Sequence, residues 1–439
     1  MEALMETKEK VKKILTEWQE FKMPKLYERD FDLSFIQSDE ILSIIGARRT
    51  GKTYLCYQII NSLKNSVPKD NIVYANFEDE RLYPLKGNEL EVFLDTYFEL
   101  FHVDMNKKVY LFLDEIQNLG NWSKWARRVA DQNKNIKLVL TGSSSKLFSK
   151  EIATELRGRT ISHTVYPLSF SEYLRARDFK IHEIDKNKVL YSKNRIAIKK
   201  LFNDYFQSGG FPAVISSSMP EELLKEYYKT MFYRDLIERY GIKNIKLLED
   251  YLTLVIDQFA SLYSISSTAK KLEEFGYSFS KNTLSNFSNY ASDIFLIFEL
   301  RKFSYKVKEQ LRWPKKVYAI DHALINAVRF FMSENYGRIL ENIVFLELKR
   351  RGGELYYHSN DKECDFIIAQ KNKIVQALQV AKSMTSQKTK DREIEGLTEA
   401  MNTYNLKDGF ILTEDEADTI KNSGKTITVL PVWYWLLFE

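Results

Sequence analysis

Residues 41–53 read ILSIIGARRTGKT, an apolar run followed by Gly46-Ala47-Arg48-Arg49-Thr50-Gly51-Lys52-Thr53, which fits G-x-x-x-x-G-K-[ST]. The string follows the apolar run directly and opens the helical stretch TYLCYQIINSL. Backbone amides and a helix N-terminus therefore converge where a phosphate can sit. Glycine at 46 and 51 lets the backbone wrap closely, Lys52 offers a point charge to β- and γ-phosphates, and Thr53 offers a hydroxyl to Mg²⁺. The expected ligand is ATP with Mg²⁺.

Working outward, short β-rich runs alternate with helical stretches: NIVYANF, KVYLFLDEI, IKLVLTGSS and TISHTVYPL follow the first strand. That alternation predicts an α/β domain with a parallel sheet, its strands apolar on both faces because helices cover both. The run Val109-Tyr110-Leu111-Phe112-Leu113 ends in Asp114-Glu115. Acids at a strand's carboxyl end lie where open α/β sheets bind ligands. Asp114 is assigned to the Mg²⁺ shell and Glu115 to orienting the attacking water. The next strand ends at Thr141 and Ser143, whose hydroxyls reach either the γ-phosphate region or, as an ordinary cap, the following turn.

The 439 residues allow two to four domains. With 44% hydrophobic and 28% charged residues the chain is a folded protein, and the net charge of +5 by itself marks neither a polybasic binder nor an acidic tail. Cys56 and Cys364 are too few for a disulfide framework. The five histidines show no metal spacing, and no G-x-S-x-G is present. The start MEALMETKEKVKK has no apolar signal core, and ITVLPVWYWLLFE is too short to span a bilayer, so the expectation is a cytoplasmic protein with no membrane partner.

In series, IIGARRTGKT, NFEDERL, FLDEIQ, TGSSSKL, LRGR, GGFP, FYRDLIERY and ECDFII resemble the prokaryotic AAA+ ATPases that carry a carboxy-terminal DUF4143 region. The resemblance implies Walker A and Walker B motifs at 46–53 and 109–115. It also implies an arginine finger at Arg157 or Arg159, with a local salt bridge as the competing reading. A finger acting on a neighbour's site would require a homo-oligomer. Five segments follow: an amphipathic helix at 1–23, a P-loop AAA+-type core at 24–170, a helical lid at 171–240, a winged helix-turn-helix at 241–316 and a small α/β nuclease-like domain at 317–439.

In the fourth segment ISSTAKKLEEF and SKNTLSNFSNY flank a glycine turn, Ser280 capping the second helix. A DNA-reading helix would present Lys281, Asn282, Ser285 and Asn286, while the competing reading is a winged helix used for protein packing. Between Glu299 and Lys316 stand seven basic residues and two acidic ones, among them Lys306, Lys308 and Arg312, interleaved with Phe303, Tyr305 and Trp313. Such a stretch suits phosphates and bases, so DNA is a candidate partner.

The last segment resembles the PD-(D/E)xK nuclease fold, in which a helix acid, a strand-start Asp and an acid-x-Lys strand hold Mg²⁺. Glu341 and Asp365 fit. Gln379-Val380-Ala381 stands where the acid-x-Lys belongs, and Lys382 comes one place late, which strand alternation turns to the opposite face unless a bulge intervenes. The expectation is a nuclease fold with little or no nuclease activity. The alternatives are an ATP-controlled nuclease on Glu341, Asp365, Gln379 and Lys382, or a nucleotide-controlled protein-interaction switch.

Overall fold

The computed structural model describes residues 2–82, 89–144, 156, 158–329 and 336–439, with side chains from Met5 onward except that of Lys281. The chain divides into two compact units, 1–165 and 166–439.

The first unit is built on five strands: β1 (Ile41–Ile45), β2 (Ile72–Asn76), β3 (Val109–Asp114), β4 (Ile136–Gly142) and β5 (Thr160–Thr164). They lie in the order β2-β3-β4-β1-β5, all parallel. Every residue of β1, β3 and β4 is buried, as the apolar runs require, whereas the edge strand β5 is half-exposed. The ladders place Asn76 opposite Asp114 and Ile44 opposite Thr141, so the carboxyl ends of the central strands converge.

The amino-terminal helix Glu2–Glu20 buries Val11, Ile14 and Leu15, and the Trp18 indole donates to the Ile72 carbonyl at 3.0 Å. Burial of three such aliphatic side chains stabilises the docked helix by roughly 1.5–3 kcal/mol each. Arg81 clamps this helix: its guanidinium donates to Glu17 at 2.8 Å and to Asp79 at 2.7 Å.

The second unit opens with helices Phe170–Ala176, Lys193–Ser208, Pro212–Ile215 and Pro220–Thr230, the last continuing as a π-helix over Met231–Glu238. The break at Gly209-Gly210-Phe211-Pro212 is real. Gly209 has φ +70°, Pro212 starts the next helix, and the Gly210 amide donates to Asp321 at 2.8 Å. The stretch expected as a lid, 171–240, packs inside this second unit, where Arg195 and Lys199 also hold Asp415 at 2.8 and 2.6 Å.

Helices Ile265–Glu274 and Lys281–Asp293 follow, capped by Ser264 and Ser280, whose side chains accept from the amides of Ser267 and Thr283. Leu284, Phe287 and Ala291 bury one face of the second helix and leave Asn282 and Asn286 exposed, with Ser285 half-buried.

A nine-stranded mixed sheet completes the unit: β6 (Leu262–Tyr263), β7 (Ile297–Lys302), β8 (Lys315–Ala319), β9 (Glu354–Ser359), β10 (Glu363–Gln370), β11 (Lys373–Val380), β12 (Asp408–Thr413), β13 (Asp418–Asn422) and β14 (Lys425–Pro431). Its order is β13-β14-β12-β11-β10-β9-β7-β8-β6. The boundary drawn at 316/317 falls inside β8, and the parallel pairing of β7 with β9 joins the two segments into one sheet. No helix among the described residues is long and apolar enough to cross a membrane.

Candidate nucleotide site

The loop 46–53 turns from β1 into the helix Lys52–Leu63. Gly46 has φ +156°, and a Cβ there would sit 2.3 Å from the Val165 carbonyl oxygen; Gly51 has φ +100°. Both positions need glycine for the backbone to close. The Thr50 hydroxyl donates to the Ala47 carbonyl at 2.9 Å and stays inside the loop.

Lys52 is buried, and its ammonium donates to the Gly46 and Ala47 carbonyls, both at 3.2 Å, and faces Glu115 Oε1 at 3.2 Å. Those same carbonyls and that carboxylate hold it over the cradle the two glycines leave open.

Asp114, 1% exposed, collects three side-chain donors: Thr53 at 2.6 Å and Tyr74 at 2.7 Å on one oxygen, and Thr141 on the other. Burial and the neighbouring Glu115 charge push its carboxyl above the usual range, against the hydrogen bonds from Thr141, Thr53 and Tyr74. Glu115 takes a left-handed backbone, φ +52°, at the strand end, and its amide donates to the Thr141 hydroxyl at 2.9 Å. Burial opposes its ionisation, but the Lys52 charge, a hydrogen bond from Gln117 and the Arg48 charge prevail and hold it below the usual range. The two adjacent acids are thus shifted in opposite directions.

The structure brings Lys52, Thr53, Asp114, Glu115 and Thr141 together. Thr141 binds the acid pair, donating to Asp114 and accepting from the Glu115 amide, while Ser143 accepts from Gln117 at 3.3 Å. Arg48 reaches out of the loop to Glu78 at 2.9 Å, and Arg49 has φ +69°. Arg159 is held by Asp131 at 2.6 Å, the local salt bridge; Arg157 lies outside the described residues. Tyr74 and Gln117 were missed on sequence grounds. Tyr74 sits on the strand beside Asp114, a register that no local motif announces.

The residues fit both expected groups. The glycine cradle with Lys52 suits a polyphosphate, and one hydroxyl plus one carboxylate at 2.6 Å suits Mg²⁺, which takes few protein ligands beside phosphates.

In the second unit Lys306, Lys308 and Arg312 are exposed, as expected. The basic stretch as a whole is not. Lys315 pairs with Glu299, the Lys302 ammonium lies 3.8 Å over the Trp313 ring, and Lys316 is buried among carboxylates. Lys382 follows the end of β11 instead of lying within it, so the alternation argument does not apply; its ammonium lies 5.3 Å from the Tyr336 ring centre.

A parallel sheet with a glycine loop, an acid pair on the neighbouring strand end and this bonding pattern defines a P-loop, AAA-type ATPase fold. Family profiles agree: the one described as AAA domain matches residues 38–174, and two domains of unknown function, DUF8612 and DUF4143, match 199–335 and 336–435. The chain belongs to the family of archaeal and bacterial AAA-domain proteins with a carboxy-terminal DUF4143 region. It is 38% identical over 435 residues to uncharacterized protein MJ1544 of Methanocaldococcus jannaschii, covering 95% of this chain and 92% of that one. An uncharacterized protein of Haemophilus influenzae is 29% identical over 350 residues, covering 78% and 83%. Among solved structures, the Walker-type ATPase paby2304 of Pyrococcus abyssi is similar at 12% identity and TM-score 0.42, covering 73% and 94%.

Proposed function

We propose that the chain binds Mg·ATP on residues 46–53, hydrolyses it, and uses the nucleotide state to rearrange its carboxy-terminal unit, on DNA. The observation that carries the reading is the bonded set Thr53–Asp114–Thr141–Glu115–Lys52, five residues from two strand ends and one helix start.

Lys52 exchanges its carbonyl partners for phosphate oxygens and neutralises them in a site with little water. Thr53 and Asp114 would hold Mg²⁺, which supplies charge neutralisation on the phosphates. Glu115, kept ionised by Lys52 and aimed by Gln117, orients the attacking water. Arg159 acts as a finger only if it leaves Asp131.

Lys52→Ala abolishes ATP binding measured by calorimetry. Glu115→Gln keeps binding and slows turnover by roughly 10²–10⁴-fold, the contribution of a positioned base. Turnover by purified Glu115→Gln at the parental rate refutes its role, and ATP binding by Lys52→Ala refutes the site.

DNA as partner is supported by the exposed Lys306, Lys308 and Arg312 beside Tyr305, 84% exposed, and by Asn282 and Asn286 on the capped helix. A protein partner instead is favoured by Val307 and Leu311, 67% and 58% exposed on the same short helix, Val307–Arg312.

A further inference from the structure

The resemblance of the last segment to metal-dependent nucleases implies a divalent cation among Glu341, Asp365 and Gln379. The helix Tyr336–Arg351 and strands β10 and β11 bring Glu341 and Asp365 to the wall of a cavity of about 850 Å³. The donor set there does not fit a metal. Its centre is taken by the ammonium of Lys316, from β8, whose side chain is 3% exposed.

That ammonium lies 2.7 Å from Asp365 Oδ1, 2.7 Å from Glu363 Oε1 and 3.1 Å from Glu341 Oε1. The ammonium donates to Asp365 and Glu341 and is ion-paired with Glu363, so three carboxylates surround it. Two of these carboxylates have further donors: Asp365 Oδ2 accepts from the Val380 amide at 2.9 Å, and Glu341 Oε1 accepts also from the Tyr318 hydroxyl at 2.6 Å. Gln379 faces the same strand pair, its carbonyl accepting from the Asp365 amide at 3.0 Å and its NH₂ donating to Glu393. A neutral amide spent on two internal bonds is a poor ligand for a divalent ion.

We propose that the ε-ammonium of Lys316 is the resident cation of this pocket, standing where the nuclease pattern has a divalent metal, so that the pocket performs no metal-dependent phosphodiester cleavage. Three carboxylates brought this close need a positive charge between them, and a buried ion pair stripped of one partner is strongly destabilised. Lys316 meets that need permanently. It is fixed by its ladder partners, Leu300 on β7 and Leu262 on β6, in the interior of the sheet. The cavity wall as a whole carries four basic side chains (Lys316, Arg338, Lys382, Arg392) and four acidic ones (Glu341, Glu363, Asp365, Glu393), which leaves no excess negative charge to draw in a divalent ion. Because Lys316 precedes residue 336 and its partners follow it, the same ammonium also ties the region before the DUF4143 profile to the DUF4143 region itself.

The test is Mn²⁺ binding to the full chain without nucleotide, followed by the spectrum of free Mn²⁺, in an Asp114→Asn background so that the nucleotide site lacks its metal-binding carboxylate. The parent and its Asp365→Asn variant bind Mn²⁺ equally weakly. Lys316→Gln binds one Mn²⁺ more tightly by ~100-fold, since a like charge at contact distance is gone, and Asp365→Asn in that variant removes the gain. Asp365-dependent Mn²⁺ uptake by the parent overturns the proposal, and so does a folded Lys316→Gln that takes up none. If Lys316→Gln does not fold, the parent decides alone through a second readout: plasmid DNA stays intact with Mn²⁺, and cleavage lost in Asp365→Asn refutes it.

Discussion

Replacing Tyr74 with phenylalanine removes a single oxygen from the wall of the nucleotide site. The ring keeps its packing against Trp18 and Tyr57, at centroid distances of 5.4 and 5.1 Å. What is lost is the 2.7 Å hydrogen bond to Asp114. Burial and the Asp114 charge push the phenol far up, so it is a donor at every working pH. A hydrogen bond to a charged group contributes about 1.5–3 kcal/mol, and at about 1.4 kcal/mol per pH unit its loss raises the Asp114 pKa by a further 1–2 units.

The sign follows. The folded carboxyl already ionises above the unfolded value, so the folded state binds more protons between the two and stability falls as pH rises through that window. Tyr74→Phe moves the upper end of the window upward. Its penalty in urea melts is therefore full above the folded pKa of Asp114 and shrinks as pH falls through it. Mg²⁺ requires the ionised carboxylate, so the acid limb of the ATPase profile moves up by about 1–2 units, and activity recovers in alkali. A folded Tyr74→Phe whose melts and acid limb both match the parent would refute the claim that this bond holds Asp114 ionised.

Gly46→Ala forces a Cβ to within 2.3 Å of the Val165 carbonyl at φ +156°; overpacking of this kind costs about 1–3 kcal/mol, so the melting temperature falls and ATP binding weakens, whereas unchanged values would mean the loop adapts. Reversing Lys306, Lys308 and Arg312 to Glu weakens duplex DNA binding and flattens its dependence on salt if that exposed face is the contact. Binding unaffected by the reversal assigns the face to a protein partner.

The first unit was legible because its signals are local. A glycine loop between an apolar strand and a helix, and an acid pair closing the strand Val109–Asp114, name both their chemistry and their place in the sheet. Tyr74 was not legible, because its hydroxyl meets Asp114 through the pairing of two strands whose phase no single run states. In the second unit, β13 (DTIKN) is an exposed edge strand without apolar alternation, and the pairing of β7 with β9 crosses 55 residues of ladder separation at Arg301 and Tyr356. Such contacts arise only in the assembled sheet and leave no mark on either segment.

The fold joins two features that the sequence sets apart: Lys316 was counted at the end of the basic stretch 299–316, and Glu341 with Asp365 as the two fitting pieces of a degenerate nuclease site. Each count treats its charges as available. In the fold they neutralise one another at 2.7 to 3.1 Å, away from water. Lys315 and Lys302 are likewise engaged, by Glu299 and by the Trp313 ring, so the exposed charge of the stretch rests on Arg301, Lys306, Lys308 and Arg312. Of these, Lys306 lies 3.4 Å from Glu309. A nucleic-acid contact here would use three or four phosphates at most, and each phosphate neutralised adds about 0.9 to the salt slope on duplex DNA. A measured slope well above about 4 would therefore require another basic surface, and one near zero would leave Val307 and Leu311 as the reason this helix is exposed.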